Sequence, residues 1–213
     1  MKRRVRYRPT TEIMNILWLI LSVLLWGLIH SLLASIKAKE TARRWFSPAA
    51  GRFYRLAYNL FAGLSFLPVL ALSAFLPDRR LYAIPSPWTG LAVVGELLAI
   101  VALLVGFRQT GPWEFLGLRQ LTTKVEQPTE LVISGLYRYV RHPLYTAGLV
   151  FIWLSPVMTV NLLALNIGMT IYIILGAYFE ESKLRREFGA QYVDYQALTP
   201  MLIPGLQLRR NKK

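Results

Sequence analysis

Residues 143–179 read PLYTAGLVFIWLSPVMTVNLLALNIGMTIYIILGAYF, with no charged side chain anywhere in the run. A helix needs about 20 apolar residues to cross a bilayer core about 30 Å thick, so this run is roughly twice spanning length and must turn once. Ser155-Pro156 is the expected hinge, because proline disfavours helix in the residue before it. A hairpin of two spans follows, and a hairpin returns both of its ends to one side of the membrane. Charge gathers at those ends. Tyr137-Arg138-Tyr139-Val140-Arg141-His142 leads into the first leg, and Glu180-Glu181 leaves the second.

Towards the N-terminus, residues 13–34, 56–76 and 88–107 are further apolar runs of spanning length, with Glu96 the only acid inside them. The basic residues Lys2, Arg3, Arg4, Arg6 and Arg8 ahead of the first run raise the reading of a cleaved signal. The run is too long for one, and no clean small-residue cleavage site follows it before Lys37. Mean hydropathy is +0.39, where soluble domains are usually negative. The expected fold is an all-α integral membrane protein of about five transmembrane helices, with a C-terminal helical hairpin and an amphipathic C-terminal helix.

The chain of 213 residues has no cysteine and two histidines, which removes disulfides, thiolate catalysis, thiolate metal sites and any zinc site built on histidine alone. No metal is expected. The net charge of +14 sits at the ends of spans rather than on one soluble face. Anionic membrane lipids, and not nucleic acid, are the partner this pattern fits. Most of the 25 Lys and Arg residues fall in residues 37–55, 108–141 and the C-terminal tail, which the positive-inside rule places in the cytoplasm. The basic N-terminal tail opposes that orientation.

Residues 1–107 read as a three-helix membrane scaffold and residues 108–213 as the part that carries the chemistry, the two forming one integrated domain. Residues 108–136 are polar, contain Gly111, Pro112, Gly117 and Pro128, and lack a sustained period. That pattern predicts a long interfacial loop, and loops of this length are commonly functional. In residues 180–198, Leu184, Phe188, Tyr192 and Tyr195 recur every three to four positions, which predicts an amphipathic helix. Thr199-Pro200 and Ile203-Pro204-Gly205 end it.

A charge in an apolar setting costs several kcal/mol unless it is paired or wet. The hairpin therefore implies one interfacial pocket in which Glu180 and Glu181 face Arg138, Arg141, His142 and several tyrosines. Such a pocket suits a zwitterionic cation such as S-adenosylmethionine: acids and aromatic faces attract its sulfonium and amine, and basic groups take its carboxylate. Pro143 in the first helical turn leaves nearby backbone donors facing a ligand. The same charges also fit a salt-bridge cluster that merely closes the hairpin. His30 reads as a packing residue satisfied by Ser31, as a general base or acceptor-orienting group, or as a haem ligand. Glu96 either pairs with a basic group or faces a wet cavity.

The run SGLYRYVRHPLYTAG (residues 134–148), followed by EESKLRREFGAQYVDY (180–195) and TPMLIP (199–204), resembles the membrane methyltransferase superfamily. That group includes isoprenylcysteine carboxyl methyltransferases, phospholipid N-methyltransferases and bacterial methanethiol S-methyltransferases. The resemblance implies a methyltransferase core in residues 108–213 that uses S-adenosylmethionine. It implies that Tyr137, His142, Pro143, Leu144, Tyr145 and Glu180, with Glu181 beside it, contact this cofactor, as do Leu131 and Val132 through the backbone. At Thr129 the isoprenylcysteine enzymes carry a histidine, and at Gly176 an arginine that holds the substrate carboxylate. FLGLRQL (115–121), WLSPVMT (153–159) and IHSLLAS (29–35) are similar to methanethiol S-methyltransferases and NnrU proteins. The resemblance thus implies a bacterial cytoplasmic membrane enzyme that S-methylates a small or apolar thiol, with the cofactor site facing the cytoplasm. A phospholipid or prenylcysteine acceptor is the alternative. Arg119, Arg141 and His30 are the candidates for tuning or deprotonating the acceptor. Two rival readings are an NnrU-like haem or electron-transfer protein and an NADPH-dependent sterol-type reductase.

Overall fold

The computed structural model describes residues 9–46, 50–119 and 130–206. The basic N-terminal tail and Thr129 lie outside them. Among the described residues, four helices are long and apolar enough to cross a membrane: Thr10–Ala34, Phe53–Phe75, Trp88–Gln109 and Val160–Phe188. They belong to α1 (Pro9–Ala34), α3 (Ala50–Phe75), α4 (Trp88–Gln109) and α7 (Val160–Phe188). Leu24, Leu64 and Leu98 are among the many apolar side chains on the outside of this bundle, as helices facing lipid require. The protein is an all-α integral membrane protein.

The expected fifth span is shorter than its apolar sequence suggested. The first leg of the hairpin is α6 (Pro143–Trp153), 11 residues long and so about 16 Å, half the thickness of a hydrocarbon core. The chain leaves helix at Leu154-Ser155-Pro156, where the hinge was expected, and then enters a strand. That strand, β2 (Val157–Thr159), pairs antiparallel with β1 (Arg80–Ala83), in the connection between α3 and α4. The pairing satisfies backbone groups that a helix would otherwise have bonded internally.

Two other elements differ from expectation. The basic stretch after α1 folds as an amphipathic helix, α2 (Ile36–Phe46). The final amphipathic helix is not one piece: α7 runs on through Glu180 and Glu181 to Phe188, Gly189 breaks it with a φ of 54°, and α8 (Ala190–Leu198) follows. In the described part of the 108–136 segment, a short α5 (Pro112–Leu116) and a 3-10 turn at Gly135–Arg138 flank the interval outside the described residues.

α6 packs along α4, while α1 lies against both α3 and α7. The N-terminal helices therefore wall the hairpin on two sides. Val23 of α1, Val69 of α3 and Leu165 of α7 form a buried apolar cluster with Trp26 and Phe66 packed on it.

Candidate active site

The site begins where α4 ends. Gly135 turns the chain with a φ of +61°, and a Cβ there would collide with the Gln109 side-chain amide. Only glycine fits both conditions. The same Gln109 accepts the Leu136 N–H at 3.1 Å, which fixes the 3-10 turn against the end of α4. The chain then extends through Arg141-His142 until Pro143 starts α6.

Arg141 and Glu181 form a buried clamp. The Arg141 Nε donates to Glu181 Oε1 at 2.6 Å, and NH2 of the same guanidinium lies 2.5 Å from that oxygen. NH1 donates to the carbonyls of Thr199 and Gln196. The Gln196 amide donates to the other Glu181 oxygen at 2.7 Å. Both side chains are about nine-tenths buried, at 10% and 6% exposure. The segment after α8 closes the arrangement: Arg141 N–H bonds Pro200 O at 2.9 Å, His142 N–H bonds Met201 O at 3.1 Å, and Thr146 Oγ1 donates to Leu202 O at 2.7 Å.

Beside the clamp lies a more open cup. Glu180 is 44% exposed at its side chain and accepts the Tyr145 hydroxyl at 2.8 Å. Its carboxylate is 3.6 Å from His142 Nδ1, and the His142 ring stacks on Tyr145 at 5.3 Å with an interplanar angle of 10°. His142 Nε2 is 3.4 Å from Glu181 Oε1, near enough for an ion pair but without hydrogen-bond geometry. This nitrogen and the Tyr192 hydroxyl are buried polar atoms without a hydrogen-bond partner among the described residues. Burial pushes the Tyr137 hydroxyl up to about 12, with the Glu180 charge adding to the shift. Burial, then the charge of Glu181, raises Tyr192 as well, partly offset by Arg141. Both phenols are neutral donors at physiological pH.

The hairpin thus brings Tyr137, Arg141, His142, Tyr145, Glu180 and Glu181 together, as expected, and divides the two acids between clamp and cup. Pro143 is buried, and Leu144 turns towards α4, where its methyl would meet a Cβ placed on Gly106. Leu131 and Val132 are half-buried in the non-helical stretch that leads to Gly135. Arg119 is exposed after α5, at the edge of the described residues. His30 lies with Tyr58 and Tyr172 rather than in the cup, and these two tyrosines, not Ser31, hold its ring nitrogens. The sequence reading missed Gln196, Tyr58 and Tyr172, and read Tyr192 only as an apolar position. Gln196 stands four residues after Tyr192 and so shares its helix face, a signal that was present.

A family model described as phospholipid methyltransferase matches residues 90–191. Methanethiol S-methyltransferase 2 of Bradyrhizobium diazoefficiens is 33% identical over 190 residues, covering 83% of this chain and 70% of that protein. Methanethiol S-methyltransferase of Pseudomonas deceptionensis is 31% identical over 199 residues, 90% of this chain and 73% of its own. Protein-S-isoprenylcysteine O-methyltransferase B of Arabidopsis thaliana is 26% identical over 154 residues, 69% of this chain and 73% of its own. No solved structure gives a significant match. The chain belongs to the membrane methyltransferase family that these relatives represent, and is an enzyme of that class.

Proposed function

We propose that this methyltransferase takes its methyl group from S-adenosylmethionine and transfers it to a small or apolar thiol. The observation that carries the cofactor reading is the cup itself. It offers an open carboxylate on Glu180, aromatic faces on Tyr145 and His142, and two buried polar atoms, His142 Nε2 and the Tyr192 hydroxyl, that make no hydrogen bond among the described residues. A buried donor or acceptor left unpaired costs about 1–3 kcal/mol, so both atoms favour a ligand that completes them. Those residues fit a zwitterionic sulfonium: Glu180 faces its cationic end, Tyr137 and Tyr192 offer neutral donors, and the backbone of Leu131 and Val132 lies on the chain leading into the cup. Pro143 and Leu144 start α6 and orient Tyr145. The donor supplies an activated methyl group; the chain's part is to hold donor and acceptor aligned near 3 Å and to exclude water.

Two observations favour a thiol acceptor. Relatives at 31–33% identity are named methanethiol S-methyltransferases. Gly176 offers no cation at the position where the isoprenylcysteine enzymes carry an arginine, and a prenyl carboxylate buried there would lack a counter-charge. Both ring nitrogens of His30 are taken by tyrosine hydroxyls, which leaves neither to ligate a haem iron. The cup then faces the cytoplasm, in keeping with the basic residues gathered on its side. The test is incubation of purified protein with radiolabelled S-adenosylmethionine and separate panels of thiols, prenylcysteines and phospholipids. Label in small thiols is expected. Label confined to lipid or prenyl ester overturns the acceptor and leaves the methyltransferase in place.

A further inference from the structure

A second polar cluster sits deeper than the cup, among three spans. His30 of α1 lies with Nε2 2.6 Å from the Tyr58 hydroxyl of α3 and Nδ1 2.5 Å from the Tyr172 hydroxyl of α7. Trp26 stacks on the His30 ring at 5.0 Å and meets Tyr172 edge-on at 5.3 Å. Gly27 permits this approach, because a Cβ there would stand 2.7 Å from the Tyr172 ring. Ionisable groups at membrane depth are costly and tend to mark function. The cradle also suits either charge state of the ring. A neutral imidazole donates to one hydroxyl and accepts from the other, and an imidazolium donates to both, since a phenol does either.

The cluster and the cup both take a residue from one face of α7. Tyr172, Gly176 and Glu180 follow one another at intervals of four residues and so share a helix face. Tyr172 and Glu180 are about 12 Å apart along the axis. At Gly176, between them, a Cβ would meet no heavy atom within 4 Å, so that face is open. Tyr145 of α6 donates its hydroxyl to Glu180 at the cup end of this face at 2.8 Å. The helix face therefore has a carboxylate end that suits a sulfonium, a hydroxyl–imidazole end, and open space over Gly176 between them.

We propose that the acceptor sulfur occupies the gap over Gly176 and that His30 receives its proton through the Tyr172 hydroxyl, an inference that rests on the thiol reading above. The need is chemical. An ordinary thiol ionises near pH 8.5 or above, and an apolar setting favours its neutral form, whereas the thiolate is the competent nucleophile. The acceptor S–H bond breaks and its proton passes to the Tyr172 oxygen, while the Tyr172 proton passes to His30 Nδ1. The electron pair left on the acceptor sulfur forms the bond to the methyl carbon, and the pair of the broken sulfonium bond returns to the donor sulfur. The imidazolium that remains faces the indole of Trp26, whose ring attracts a cation. It later gives its proton to water.

The experiment compares two acceptors: an alkanethiol, neutral at pH 7, and an acidic aryl thiol that is already ionised there. His30→Gln should lose tenfold or more in kcat with the alkanethiol and change little with the aryl thiol, with donor affinity by calorimetry as in the unaltered protein. Tyr172→Phe keeps the ring against Gly27 and Trp26 and should show the same selectivity, which guards against a folding defect in the first variant. Independently of turnover, with a non-transferable cationic analogue of the donor bound, the alkanethiol should ionise on binding to the unaltered protein, as read by thiolate absorbance, and not on binding to either variant. Equal losses for the two thiols, or unchanged ionisation in the variants, overturn the relay alone. An unaltered protein that methylates neither thiol overturns the thiol reading and the relay together.

Discussion

The two ends of the bundle hold polar groups for opposite purposes. At the end where β1 meets β2, Asn161 is fully buried and donates to the carbonyls of Leu76 and Pro77, Asn15 donates to Pro77 O at 2.8 Å, and Asp78 accepts the Asn161 N–H at 3.0 Å. Amides, backbone groups and the Asp78 carboxylate answer one another there, and Arg79 beside them is paired with Glu12 at 2.8 Å. At the other end a buried ion pair, an exposed carboxylate and two buried polar atoms without a hydrogen bond among the described residues stand close together. A staple leaves nothing over; a binding site leaves donors and charge for something else to meet. Within that pocket the same contrast recurs between neighbouring residues, since Glu181 is bound into the clamp and Glu180 faces the opening.

The contrast breaks most visibly at Glu181. Glu181→Ala leaves Arg141 buried without its counter-charge, and loss of one partner of a buried pair costs about 3–5 kcal/mol. Thermal melting in detergent should show a large drop, with donor binding lost alongside it. A melting temperature close to that of the unaltered protein would mean that the clamp is wet and loosely held. At the opposite end, Asn161→Ala should cost about 1–3 kcal/mol by leaving carbonyls unpaired. Donor affinity should not move, and a fall in affinity would show that the two ends are coupled through α7.

Glu180→Gln sharpens the difference between the two acids. Melting should be nearly unchanged, because the side chain is partly exposed, while calorimetry with S-adenosylmethionine should show about tenfold weaker binding, about 1.4 kcal/mol. Equal effects of Glu180→Gln and Glu187→Gln would make the Glu180 charge irrelevant to the ligand. The smallest effect is expected at Tyr192. Tyr192→Phe removes a hydroxyl that has no hydrogen-bond partner among the described residues, so stability should stay level or rise slightly, and donor affinity should fall by about threefold. An unchanged affinity would assign Tyr192 to packing alone.

The sequence by itself determined the membrane, the hairpin and the company of residues at the site. An uncharged run twice spanning length has to fold back, and that places the Arg141-His142 and Glu180-Glu181 segments together whatever the details. It determined the hinge as well, since Ser155-Pro156 interrupts helix locally. Tertiary structure decided what hydropathy cannot express. The first leg of the hairpin stops after 11 residues because β2 finds its partner in β1, some 75 residues away in the chain and with no local signal of pairing. It decided which acid is bound and which is open, because Glu180 and Glu181 are adjacent in sequence but about 100° apart around α7. His30 met two tyrosines from different helices only once α1, α3 and α7 had packed, and the carbonyls that hold Arg141 come from a C-terminal segment whose sequence says only that a helix ends. Periodicity and charge report on one helix and its solvent; pairing between distant segments is set by which surfaces are left to meet when the bundle closes.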